Sequence, residues 1–175
     1  MKKIFTMIMV AFLSLSALSS VSAHPHDHDK GHHKYSIEKQ LAISKKAVKK
    51  YRNIEVALDE GFVGLVPGAC VPNMGIHLVK PSRMDDDKLR IKKPEILVYE
   101  PLKNGHYKLV AAEWYVPAEL TDKTPVLFDQ KFQGPMDNHD GSAGQHYDLH
   151  VWLFKTNLDG IFKPENTRVS CKYAE

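Results

Sequence analysis

Between Pro94 and Pro117 the chain reads PEILVYEPLKNGHYKLVAAEWYVP, two apolar, strand-like runs joined across Asn104-Gly105. Asn-Gly accepts the positive φ angles of a tight hairpin turn, so this segment reads as an antiparallel strand pair. Prolines 94, 101 and 117 punctuate its ends. Register is left open. A two-residue turn sets Glu113 opposite Ile96 and Glu95 opposite Trp114, whereas an odd-length turn sets the two carboxylates opposite each other.

Further strands flank this hairpin. GQHYDLHVWLF (144–154) alternates, with His146, Asp148 and His150 on one face and Tyr147, Leu149, Val151 and Leu153 on the other. A short candidate spans Val126 to Phe132, before a loop rich in Gly, Asp and Asn. In CVPNMGIHLV, Gly75 permits close backbone approach and His77 sits in a short apolar run. N-terminal to all of these, YSIEKQLAISKKAVKKYRNIEVALDEGF reads as one amphipathic helix, with Ser36 as N-cap and Gly61 as stop. Its lysines form a solvated basic side. These elements predict an α+β fold: an N-terminal amphipathic helix, then an antiparallel sheet or small open barrel. Residues 35–175 are expected to form a single globular domain.

The first 23 residues have the form of a signal peptide. Lys2 and Lys3 precede an apolar run from Ile4 to Leu18, and Val21-Ser22-Ala23 offers a small-residue cleavage site. The expectation is an exported protein, periplasmic or extracellular, cleaved near Ala23 and without a membrane span in the mature chain. Removing Lys2 and Lys3 from the 24 Lys and Arg leaves 22 against 21 Asp and Glu, so no basic field points to nucleic acid. Protein partners are not legible. Cys70 and Cys171 are the only cysteines, and in an oxidising compartment a lone pair is most simply a disulfide.

Residues 24–34, HPHDHDKGHHK, contain no large apolar side chain and are expected to be a disordered arm. His24, His26, His28, His32 and His33, interleaved with Asp27 and Asp29, suit loose capture of transition-metal ions. Pro25 spoils the amine-terminal copper and nickel chelate that a third-position histidine would otherwise suggest.

Within the domain, His77, Glu113, His146 and His150 make a three-nitrogen, one-oxygen donor set, suited to zinc or copper among transition metals, with water as an alternative fourth ligand. His146 and His150 are four residues apart, about 13 Å along a regular strand, so one ion takes both only across a bulge or helical turn. Otherwise His150 is the ligand, His146 sits at the rim and His77 or another group completes the site. Asp148 is a candidate partner fixing an imidazole tautomer. HYDLH lacks the Glu of HExxH, and there is no GxSxG, P-loop, Rossmann glycine pattern or EF-hand loop.

The strings MGIH, PEILVYEP, AAEWYVP, HYDLHVWLF and NLDGIF resemble a group of exported bacterial proteins of unassigned function, over about Tyr51 to Cys171. That resemblance implies one domain and no activity. The donor chemistry is also similar to that of cupins, whose motif order and glycine spacing are not matched here, so the likeness concerns site type alone.

The leading reading is therefore an exported metal-binding protein, not obviously an enzyme, that handles zinc or copper. Two alternatives stand beside it. One is a metal-dependent enzyme with a bound water and Glu113 as general base. The other is a non-metal ligand or cell-envelope binding module, its sheet cavity lined by some of Trp114, Tyr115, Trp152 and Phe154.

Overall fold

The hairpin around Asn104-Gly105 lies in the middle of a six-stranded antiparallel sheet in a computed structural model, which describes residues 35–66, 68–137 and 144–174. The leader (1–23) and the His-rich arm (24–34) lie outside the described residues. The sheet is built from β1 (Cys70–Val71), β2 (Gly75–Val79), β3 (Ile96–Pro101), β4 (Tyr107–Pro117), β7 (Gln133–Asp137) and β8 (Gln145–Val151). Their spatial order is β1-β2-β3-β4-β8-β7, and the sheet curls into a half-barrel. A separate two-stranded pair, β5 (Val126–Leu127) and β6 (Gln130–Lys131), lies between β4 and β7 in the chain. The α+β class is the observed one.

The N-terminal helix is broken, contrary to the single run expected. α1 (Ile37–Val48) passes into a 3-10 turn at Lys49–Arg52, and α2 (Ile54–Asp59) restarts after Asn53. Asn53 has extended backbone angles, and its side chain accepts a hydrogen bond from Glu55 N at 3.2 Å, so it caps a second helix. Ser36 caps the first, accepting from Lys39 N at 3.4 Å. Two polar residues on the buried face of α1 are satisfied by backbone carbonyls, one nearby in the chain and one distant. Gln40 donates to Tyr35 O at 2.7 Å, and the Ser44 hydroxyl donates to the Ile91 carbonyl.

Alternation divides the sheet residues between two faces. Ile76, Leu78, Leu97, Tyr99, Ala112, Trp114, Val116, Leu149 and Val151 join Val48, Tyr51, Ala57 and Phe62 of the helical segment and its end in the main core. A smaller cluster of Val98, Val110, Ala111, Trp152 and Val169 lies apart from it. By register His77, Val98, Ala111, Glu113 and His150 share the face that carries this smaller cluster. Gly75 lets β2 reach β3: at φ +111° a Cβ there would lie 2.5 Å from Tyr99 O.

The hairpin register comes from two offsetting irregularities. The loop is the odd-length one, with Leu102 N donating to His106 O at 2.8 Å across Lys103, Asn104 and Gly105. Continued unchanged, this register would bring Glu95 opposite Glu113. A bulge between Val98 and Tyr99 places an extra β4 residue, Val110, in the ladder, and Ile96 pairs with Glu113 after all. Two buried carboxylates are thereby kept on different faces.

Cys70 and Cys171 form the expected disulfide, tying β1 to the C-terminal tail. Glu100 holds the same tail through Ser170 N at 3.1 Å while bonding Lys155 Nζ at 2.6 Å.

Glu95 is 2 % exposed, and burial pushes its carboxyl up to about 8, against the hydrogen bond from Tyr115 N and the nearby Arg83 and Arg90 charges. The folded state therefore binds a proton that the unfolded chain releases near the ordinary value of 4.5. Stability carried by that proton is complete at acid pH and is lost as pH rises toward 8, at about 1.4 kcal/mol per unit. Glu95→Gln keeps an acceptor for Tyr115 N and cannot ionise. In metal-free protein its stability relative to wild type is expected to rise by a few kcal/mol between pH 5 and pH 8, read from urea midpoints. A constant difference across that range would contradict the assignment.

Candidate metal centre

Three strands deliver the donors. His77 comes from β2, Glu113 from β4 and His150 from β8, and Glu113 and His150 are direct cross-strand partners. His77 lies one strand beyond β3, level with Val98, so the site spans four adjacent strands of the curled sheet. Nothing in the local sequence places His77 beside His150. The strand order does, by putting β2 and β8 either side of the β3–β4 hairpin.

The reactive atoms converge. His77 Nε2 is 3.3 Å from His150 Nε2, and Glu113 Oε2 is 3.4 Å from the former and 3.1 Å from the latter. Metal–nitrogen and metal–oxygen bonds of about 2.0–2.1 Å at tetrahedral angles separate neighbouring donors by about 3.3–3.4 Å. A square-planar site of similar bond lengths separates cis donors by about 2.8–2.9 Å. The observed triangle is close to one face of a tetrahedron. Glu113 Oε2 is buried and accepts no hydrogen bond of normal geometry among the described residues, although two ring nitrogens lie beside it. In a near-equilateral triangle a single N–H cannot point at both other corners, so one shared cation satisfies the three atoms better than protons do. His77, Glu113 and His150 are thus a group that could hold a metal ion.

Burial sets the electrostatics. The side chains of His150 and Glu113 are 1 % and 4 % exposed, and that of His77 is 19 % exposed. Desolvation raises the Glu113 carboxyl well above its ordinary range, and the charges of Asp148 and then Glu95 add to the effect. A bound cation would reverse this penalty by supplying the missing counter-charge.

His146, proposed from sequence as a further ligand, lies outside this group of three. Its ring stacks on Tyr115, centroids 4.8 Å apart, and its Nε2 is 3.5 Å from Asp148 Oδ2. β8 is a regular strand here, without the bulge or turn that would draw His146 and His150 to one ion. Asp148 has His146 as its imidazole neighbour. The stacking of Tyr115 on His146 was not legible in the sequence; the cross-strand pairing of Tyr115 with Asp148 places it there.

Of the aromatics of the third reading, Trp114 and Trp152 are core residues, while Tyr115 and Phe154 are partly exposed. Trp114 is fully buried and donates to Arg90 O at 3.0 Å, and Trp152 donates to Lys163 O at 2.6 Å. An open cleft of about 480 Å³ does exist, bordered by Gln130, Gln133, Leu149, Ile161 and Phe162, and none of the four named aromatics lines it. No described helix is long and apolar enough to cross a membrane.

Comparison with protein-family models, with curated proteins and with solved structures finds no match to this chain.

Proposed function

We propose that the chain is an exported metal-binding protein that handles zinc or copper, its folded site made by His77, Glu113 and His150 and its capture arm by His24, His26, His28, His32 and His33. The observation that carries this reading is the triangle of two Nε2 atoms and one carboxylate oxygen with sides of 3.1–3.4 Å. Its dimensions support zinc over copper(II), whose tetragonal preference asks for closer donors. Export, and membership of the bacterial group that the sequence resembles, are part of the same proposal and rest on the leader and the quoted motifs. The disulfide supports export, since such bonds persist in oxidising compartments.

Calorimetric titration with zinc tests the proposal. One tight equivalent is expected in the chain lacking residues 24–33, and additional weak equivalents when the arm is present. No binding heat in either form would remove the proposal. Loss of the tight equivalent on deleting the arm would move the site out of the domain.

A second reading has a specific observation behind it. Three protein donors with one partly exposed corner are the complement of a catalytic zinc ion, which keeps its fourth position for water. On that reading Glu113 is a ligand, and the general-base role considered for it passes to another group. Zinc-dependent hydrolysis of activated esters, abolished by His150→Ala, would favour the enzyme.

A further inference from the structure

Asp148 is left over by this account of the site. Its side chain is 3 % exposed, and Oδ1 accepts no hydrogen bond from any described residue. Oδ2 lies 3.5 Å from His146 Nε2, at the outer limit of a hydrogen bond. No described Lys or Arg is paired with it: Lys155 serves Glu100, Arg90 serves Asp86 and Lys50 serves Glu60. The ladder places it one row from the metal donors, Tyr115 facing Asp148 and Glu113 facing His150 on the same side of the sheet. Successive rows on one face are about 6.5–7 Å apart, a gap that a ligand of a few heavy atoms spans.

Charge counting gives the class of that ligand. With neutral imidazoles, a divalent ion is balanced by the two carboxylates of Glu113 and Asp148. An anion added to the ion leaves the buried site with a negative excess. A zwitterion leaves it balanced, provided its cationic end lies against Asp148. We propose that the centre binds a small zwitterion, its carboxylate on the metal ion's remaining coordination position and its ammonium on Asp148 Oδ1. This rests on the metal-binding reading above, and adds to it a ligand for the open position. Asp148 is then a ligand-binding residue that balances the ion's charge without coordinating it.

The test uses the full chain loaded with cobalt(II), whose visible spectrum reports both metal occupancy and changes in its coordination. It is titrated separately with β-alanine and with propionate, which share a carboxylate and differ by the ammonium group. Wild type is expected to bind β-alanine on the order of tenfold more tightly, the effect of one charge-assisted hydrogen bond. Asp148→Asn should bring the two affinities together while cobalt, still held by its three donors, binds more weakly but stoichiometrically, and Asp148→Glu, which keeps the charge, should retain a preference. Absence of a cobalt spectrum in wild type would overturn the metal reading and this inference with it. Stoichiometric cobalt with equal affinities for the two probes would overturn the zwitterion assignment alone. So would a preference that survives Asp148→Asn. Should neither variant fold, the wild-type ratio alone decides.

Discussion

Glu113→Gln is expected to stabilise the metal-free protein and to weaken zinc binding by on the order of 100- to 1,000-fold, a share of the roughly 10–16 kcal/mol that a full ligand set supplies. The two effects have one cause. Glu113 is 3 % exposed, and its carboxyl is raised well above the ordinary range by burial first and by the Asp148 and Glu95 charges next. Glutamine has the same shape without the charge, so the apo protein no longer carries the desolvation cost of an anion. The ion loses the one anionic donor among His77, Glu113 and His150, and a neutral amide oxygen is a poor replacement for zinc. Chemical denaturation of apo protein and competition for zinc against a coloured chelator measure the two halves separately. A purely structural Glu113 would give a destabilised variant with no change in zinc affinity. Opposite signs are the mark of a residue kept for binding at the expense of stability.

Replacing Cys70 and Cys171 with alanine is expected to cost about 4–5 kcal/mol, the loop-closure entropy of a cross-link over a sequence separation of 101 residues. For a domain of this size that corresponds to a fall in Tm of about 15 °C. It is also a large fraction of the 5–15 kcal/mol by which small proteins are typically stable. The mechanism acts mainly on the unfolded chain, whose conformational freedom the cross-link restricts; in the folded chain the bridge fastens the tail to β1 at the sheet edge, where Cys70 packs against the main core. Wild type unfolded under a strong reductant should match the double variant, and a loss below about 1 kcal/mol would show that the cross-link closes no costly loop. His77 follows this edge closely: β1 pairs with Gly75 and Ile76, the residues just before it.

What could be read from the sequence divides along local and non-local lines. The β3–β4 hairpin was legible because Asn104-Gly105 is a local turn signal and the runs beside it are apolar and β-prone. The disulfide was legible because two cysteines allow one pairing. Alternation placed His146, Asp148 and His150 on one face of β8, and strand rise already set His146 and His150 too far apart for a regular strand. Choosing between them needed the strand order. His150 meets Glu113 across the β4–β8 ladder, and His77 arrives from the far side of the hairpin.

Three features escaped for physical reasons. The helix break at Asn53 carries neither Gly nor Pro, and the apolar period runs on through it, so the Asn53–Glu55 cap was the sole available signal. β7, GPMD after Gln133, has no apolar alternation, since it is an edge strand with mostly exposed residues, and its sequence reads as part of a loop. The candidate strand from Val126 to Phe132 instead turns at Phe128 and Asp129, both at positive φ, where Phe gives no turn signal and Asp without a following Gly gives only a weak one. Phe128 tolerates that geometry because it is wholly buried, packed edge-on against Trp114 with ring centroids 5.0 Å apart.

Anomalous diffraction at the zinc edge, from crystals of the zinc-loaded protein, most directly tests whether His77, Glu113 and His150 hold one ion. A single strong peak is expected in the domain, about 2.0–2.1 Å from His77 Nε2, His150 Nε2 and Glu113 Oε2. A peak elsewhere, or none between these atoms with each ring nitrogen donating to an ordinary acceptor, would contradict it.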